Sequence, residues 1–322
     1  MRYKRIIKYA VSLIIVFAIS IFFLGEFQRN WESIQAYDLN FNALYIFLSF
    51  ATIAINYLLT TYGWFVALNA LSNTAKITFP ESIAAVDTGL LTKYLPGKVW
   101  SYAFQIYWLA KAGFSKSLIL YVSFINLYTS LMTSMLLGLS YLVFFPQIFP
   151  SAVTFSLLSM LLFLDFCFIN YNSYIFGKLT PVLNGILKRD IGYFEMPKKL
   201  FLYLHLINLL AAFSFGASAY FSCLGLGFTI GTNKISLVMS SLIIADVMGF
   251  VAIIVPGGLG VREGAMYLLL TGVSTTALSL LLPVATRVVT MLVDISLGTT
   301  AVALLNSYKN ARGVDEKSGN AN

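Results

Sequence analysis

Long apolar stretches alternate with short polar ones along this chain. No Asp, Glu, Lys, Arg or His stands between Asp38 and Lys76, none between Lys116 and Asp165, and only His205 between Lys199 and Lys234. Each run exceeds the ~20 residues that a helix needs to cross the hydrocarbon of a bilayer. None shows the polar–apolar alternation and short turns of membrane barrel strands, so the runs are read as helices. The pattern predicts six full crossings, over residues 9–24, 42–71, 117–145, a return ending near 170, 200–224 and 277–307. Two other segments, 80–113 and 235–272, are apolar but interrupted, the first at Pro96-Gly97 and the second at Pro256-Gly257-Gly258 with Gly260 just beyond. Proline removes a backbone donor and glycine loosens the chain. Broken backbone at membrane depth is tolerated only where it packs against protein or lines a wet cavity, so both segments are read as re-entrant hairpins.

Composition agrees with the pattern: 59% of the 322 residues are hydrophobic, 11% are charged, and the mean hydropathy is +0.82. The expected fold is an all-α integral membrane protein. It is a polytopic bundle of six spans plus two re-entrant hairpins, about eight hydrophobic segments in all, with inverted-repeat character. Residues 1–308 form one membrane domain and 309–322 a short polar tail. Basic residues concentrate in the N-terminus, in 76–116, in 178–199 and in the tail, which together hold 17 of the 21 Lys and Arg. By the positive-inside rule these segments, and both termini, are cytoplasmic, in a cell inner membrane. The first apolar run follows Arg2, Lys4, Arg5 and Lys8 but precedes no Ala-x-Ala-like cleavage site, so it is read as an uncleaved helix. The basic balance is topological, and nucleic acid is not an expected partner. Cys167 and Cys223 both lie in apolar segments and indicate neither a disulfide framework nor a metal site.

The two interrupted segments resemble each other. Pro96-Gly97 and Tyr107-x-Leu109 recur as Pro256-Gly257 and Tyr267-x-Leu269, at a constant separation of 160 residues. The first segment is approached from the cytoplasm and the second after a span ending outside, so the repeats would be inverted. Interrupted helices in corresponding positions of inverted repeats point to a transporter's midplane site. A pair of kinks that serve packing is the alternative.

Charges at membrane depth supply the candidate site, because each costs ~2.5 to 3.5 kcal/mol on insertion scales if left in lipid. Arg262 and Glu263 follow the second break at a helix start, where amide N–H groups favour an anion. Arg287 and Asp294 are seven residues apart on the last helix, and Asp246 precedes the break by ten. The reading assigns Lys98, Arg262, Glu263 and Arg287 to a lipid headgroup, with Asp246 and Asp294 as a supporting charge network. Asp165 is expected at the interface. His205, the sole histidine, is expected to be a satisfied packing residue. The chain shows no P-loop, no His-Glu-x-x-His helix and no nucleophile elbow, so neither a cofactor nor a catalytic residue is assigned.

The stretches LTKYLPGKVWSYAFQIYWLAKAGFSKS and VPGGLGVREGAMYLLL resemble the two signature regions of the lysylphosphatidylglycerol synthase transmembrane-region family. Pro-Gly-Gly-x-Gly-x-Arg-Glu-Gly at 256–264 is the most specific part. The resemblance implies a flippase-like bundle with re-entrant helices; in full-length members this domain moves an aminoacylated phospholipid between leaflets. Those members carry a soluble aminoacyl-transferase domain after the membrane part, and the expectation here is a stand-alone member without it. Stand-alone members are met beside genes for envelope synthesis, so a lipid-linked glycan is as fitting a cargo as an aminoacyl lipid.

The expected function is translocation or presentation of a lipid with a charged or glycan-linked headgroup, driven by a gradient or by consumption of the product. The protein is then not an enzyme, and its partners are membrane lipids, with envelope-synthesis enzymes or a second copy also in view. Two alternatives stand beside it: a non-transporting partner of an envelope synthase, and a membrane-embedded glycosyl or lipid transferase using Asp87 or Glu263 as base.

Overall fold

The structure, a computed structural model, describes residues 25, 28–29, 31–35, 40–93, 100–187, 194–252 and 255–311. Every regular element among them is helical. In order these are α1 (Trp31–Gln35), α2 (Ala43–Leu71), α3 (Phe79–Val86), α4 (Gly89–Thr92), α5 (Trp100–Lys111), α6 (Lys116–Leu142), α7 (Ser151–Leu187), α8 (Lys198–Gly225), α9 (Ile235–Val251), α10 (Val261–Thr271) and α11 (Thr276–Ala311), with 3-10 turns at Thr232–Lys234 and Pro256–Gly258. Six described helical stretches are long and apolar enough to cross a membrane, and five coincide with expected crossings. The sixth, Thr232–Val251, is the first arm of the expected second hairpin. The expected crossing over 9–24 and the first break, Pro96-Gly97 with Lys98, lie outside the described residues.

Local chemistry sets the helix starts. Asn42 caps α2 by accepting from the Leu44 N–H at 3.1 Å, Ser115 caps α6 by accepting from Leu118 N at 3.2 Å, and Glu81 reaches back to the Thr78 N–H at 2.8 Å to close α3. The clearest departure from expectation is α7, which continues to Leu187 instead of ending near Asn170. Hydropathy marks where a segment leaves an apolar medium, whereas a helix ends where a breaker or cap stops it. None intervenes here until Pro181, itself inside the helix.

The 160-residue offset extends through the fold. α6 begins at Lys116 and α11 at Thr276; α5 ends at Lys111 and α10 at Thr271. Each interrupted segment closes on itself at its base through a side chain donating to a backbone carbonyl. Thr74 Oγ1 reaches Gly113 O at 3.4 Å, and Lys234 Nζ reaches Val273 O at 2.6 Å. Both members of the second contact lie 160 residues after those of the first.

A further pair of equivalents is crossed between the halves. Gly138 on α6 packs on α9, where a Cβ would meet Ile244 at 2.7 Å, and Gly298 on α11 packs on α4, where it would meet Leu91 at 2.6 Å. The helix after each hairpin therefore seats on the hairpin of the other half, and in both places a side chain would force the facing Ile244 or Leu91 to shift.

The equivalent helices α2 and α8 are packed against each other and run antiparallel. Asn42 N donates to Gly225 O at 2.9 Å, Ser49 Oγ to Ser218 O at 2.9 Å, Ser214 Oγ to Thr52 O at 2.7 Å and Asn56 Nδ2 to Ala211 O at 2.8 Å, while Gly63 faces Leu204. The partner number falls from 225 to 204 as the first rises from 42 to 63. Equivalent helices that run antiparallel are exchanged by an axis perpendicular to them, so the two halves are inverted. Small and hydroxylated residues at this seam let the backbones approach and supply hydrogen bonds that lipid cannot.

Two apolar clusters fill the interior. One joins α8, α9, α10 and α11 around Leu242, Ile243, Leu270 and Val293; the other joins α2, α5, α6 and α8 around Trp64, Leu109, Ile119 and Phe201. Large apolar side chains are also exposed in a belt, including Phe155, Phe163 and Phe166 on α7 and Leu206, Leu210 and Phe213 on α8. In water such a surface would be an aggregation hazard; it suits hydrocarbon.

Candidate functional site

The hairpin of α9 and α10 turns on three glycines with positive φ: Gly257 at 59°, Gly258 at 65° and Gly260 at 80°. At Gly258 the requirement is doubled, because a Cβ would also lie 2.7 Å from Gly249 O and 2.8 Å from Gly249 Cα. The turn thus sits against the backbone of α9, and α10 starts beside Asp246. Glu263 at the third position of α10 accepts from the Gly260 N–H at 2.5 Å. The anion expected at this helix start is therefore already supplied by the chain, and Glu263 is committed to holding the break.

Three oppositely charged pairs converge here. Arg262 Nη1 lies 3.1 Å from Asp246 Oδ1, Nη2 donates to Thr290 Oγ1 at 3.4 Å, and the guanidinium stands 5.2 Å over the Phe215 ring. Arg287 Nε lies 3.5 Å from Glu263 Oε1, and its Nη1 donates to Gly257 O at 3.2 Å, which ties α11 to the break. Lys93, just after α4, donates from Nζ to Asp294 Oδ1 at 2.6 Å and to the Tyr57 hydroxyl at 3.0 Å. The Asp294 side chain is fully buried, and so nearly are Arg262 and Arg287. Pairing is what makes such burial bearable.

These side chains border a cavity of about 390 Å³ between α2, α4, α5, α6, α8, α9, α10 and α11. Lys93, Arg262, Arg287 and Asp246 line it, with Asn56, Thr60, Ser130 and Ser134 as neutral polar groups and Tyr57, Tyr102, Phe215 and Phe250 as aromatic ones. Glu263 and Asp294 are not among the lining residues. Three cations thus face the cavity while two of the three carboxylates balancing them stand behind the wall. Such a void attracts an anion. Both hairpins contribute to it, with Lys93 and Tyr102 from the first and Asp246, Gly257 and Arg262 from the second.

The structure brings together Asp246, Gly257, Gly258, Gly260, Arg262, Glu263, Arg287 and Asp294 of the residues selected from sequence; of Pro256 only the backbone is described, in the 3-10 turn. Asp294 meets Lys93, a residue counted with the cytoplasmic loop charges. The pair holds the Lys93 ammonium against a carboxylate that has no exposure. Lys93 lies in the same charged stretch as Lys98, so the signal was in the sequence, and its partner 201 positions away was not. The neutral polar groups on α2 and α6 carry no sequence mark. Asp165, expected at an interface, is 7% exposed and accepts from Tyr128 OH at 3.2 Å. His205 is bonded at both ring nitrogens, Nε2 to Asp165 and Nδ1 to Phe201 O at 3.0 Å.

Comparison with curated proteins and comparison with solved structures each gave no match. A family model gave one, over nearly the whole apolar chain, and its span includes both hairpins and the charged cavity. The chain belongs to the family described as Lysylphosphatidylglycerol synthase TM region, whose model covers residues 5–298, and it is a multi-pass membrane protein.

Proposed function

We propose that this protein moves, or presents for movement, a lipid with an anionic, zwitterionic or glycan-linked headgroup between the leaflets of the inner membrane, in the service of envelope lipid or polysaccharide synthesis. The observation that carries the reading is the cavity wall, with three cations and one carboxylate on its inner face and two carboxylates behind. A headgroup does not cross ~30 Å of hydrocarbon unaided, whereas a polar void between helices can hold it while the tails stay in lipid. The volume of about 390 Å³ falls within the usual range for small-molecule pockets and suits a headgroup alone. Arg262 and Arg287 offer planar forks that match a phosphate, and Lys93 a point charge. Leaflet exchange of a labelled anionic lipid in vesicles holding the purified protein tests the reading.

A transferase is the weaker reading, because Glu263, one candidate base, is held by Gly260 and Arg287. Headgroup release by the purified protein would restore it. Co-purification with an envelope synthase, without exchange, would favour an assembly partner.

On the same reading both hairpins are re-entrant, each entering and leaving from its own side, with the termini in the cytoplasm. The inversion of the halves supports this by placing the two hairpin bases at opposite ends. Thr74, the donor at the first base, and Thr275, two residues past the acceptor at the second, are both exposed. In a background without Cys167 and Cys223, Thr74→Cys is expected to label from the cytoplasm and Thr275→Cys from outside. Labelling of both from one side would refute the arrangement.

A further inference from the structure

A second cavity, of about 230 Å³, adjoins the first and shares Tyr57, Thr60, Leu90, Tyr102 and Ser130 with it. Its wall includes Asp87, which is 2% exposed. Oδ1 of Asp87 accepts from Thr61 Oγ1 at 2.6 Å, and Oδ2 has no hydrogen-bond partner. Asn126 Oδ1, on the same wall, has none either. No cation is paired with Asp87 among the described residues.

The repeat shows why. Subtracting 160 from the Arg262–Asp246 pair gives Tyr102 and Val86, so the first hairpin keeps an acid one position along, at Asp87, and puts a neutral phenol where the second has its guanidinium. A carboxylate buried without a countercharge is expensive, and the inexpensive form is the neutral acid. A proton on Oδ2 would also give the compartment a donor where it now has two unfilled acceptors.

We infer that Asp87 is a proton-binding site of this protein, loaded and unloaded through the small cavity. In the loading step a water-borne proton bonds to Oδ2 and the carboxylate becomes a neutral carboxyl; unloading reverses it. The titratable and charged groups on the elements packed around α3 are Tyr45, Tyr57 and Tyr62 on α2, Lys93 after α4, Tyr102, Tyr107 and Lys111 on α5, and Arg287, Asp294, Tyr308 and Lys309 on α11, with Glu81 on α3 itself committed to the Thr78 cap; of these only Tyr57 and Tyr102 line the small cavity with Asp87. Lys93 is engaged by Asp294 and Tyr57, so it leaves the acid's environment without a dedicated cation.

The consequence for transport rests on the headgroup reading. An anion in the larger cavity disfavours a second negative charge next door, so headgroup and proton bind with mutual reinforcement, and each raises the other's affinity by the same factor. A proton gradient can then drive the movement of the headgroup.

Infrared difference spectra of the purified protein, recorded as pH is stepped in potassium buffer, read the carboxyl directly. Wild type is expected to show a protonated-carboxyl band at neutral pH that Asp87→Asn lacks, the amide keeping the Thr61 hydrogen bond; Asp87→Glu should show it shifted. An identical band in wild type and Asp87→Asn would overturn the assignment, as would its abolition when sodium replaces potassium, since the counterion would then be sodium. Should Asp87→Asn fail to fold, an unshifted band in Asp87→Glu would overturn it equally. In vesicles, an imposed pH gradient should change the lipid exchange rate severalfold in wild type and not in Asp87→Asn. Exchange indifferent to the gradient would remove the coupling and leave the headgroup reading; no exchange at all would remove that reading and leave the infrared result standing.

Discussion

Lys93→Ala is expected to destabilise the protein by about 3–5 kcal/mol, as is typical when one member of a buried ion pair is removed. The ammonium lies 2.6 Å from a carboxylate on a side chain with no exposure, and it joins the first hairpin to α11 and, through Tyr57, to α2. Removing it from Asp294 leaves desolvated charge behind, which is the expensive half of the change. Replacing both members by apolar residues of similar size should behave differently. Lys93→Met with Asp294→Leu is expected to recover most of the loss, because neither charge then has to leave water. Thermal unfolding in one detergent checks both statements. A double variant as unstable as the single would show that the pair is not an isolated unit, and a single variant as stable as wild type would show that the contact contributes nothing.

Gly258→Ala should be nearly as damaging, by a different route. Its φ of 65° is left-handed, which costs a residue with a Cβ about 1–2 kcal/mol. The methyl would also press on the backbone of Gly249 at 2.7 to 2.9 Å, and overpacking of this kind adds about 1–3 kcal/mol. Backbone cannot rotate aside as a side chain can, so α9 and α10 must separate at the break. The expected sum is about 2–5 kcal/mol, together with loss of the Arg262–Asp246 contact that the close approach permits. Gly264→Ala, where a Cβ meets nothing within 4 Å, is the control and should unfold like wild type.

What the sequence disclosed follows from what each kind of information is local to. The apolar runs, the Pro-Gly-Gly break and the charges after it are patterns within some twenty residues, and the helices and second hairpin were legible from them. The repeat was visible in four positions. Its stronger marks, Gly138 with Gly298 and the hairpin bases at Thr74–Gly113 and Lys234–Val273, become recognisable only once each glycine is seen against the facing hairpin. Lys93 was hidden by a rule that counts cations by loop. Asp87 stood out in the sequence only as a candidate base, because its missing countercharge shows only once its surroundings are seen. The length of α7 escaped because hydropathy does not register helix that continues past an apolar run.

The central claim is that the cationic cavity carries a lipid headgroup, and exchange between leaflets tests it most directly. Purified protein in vesicles should accelerate the exchange of a labelled anionic or glycan-linked lipid over empty vesicles. Arg262→Ala, with its unfolding temperature checked beside wild type, should lose most of that acceleration, because the guanidinium between Asp246, Thr290 and Phe215 is the fork that faces the void. Equal rates for wild type, a folded Arg262→Ala and empty vesicles, across a panel of such lipids, would contradict the account.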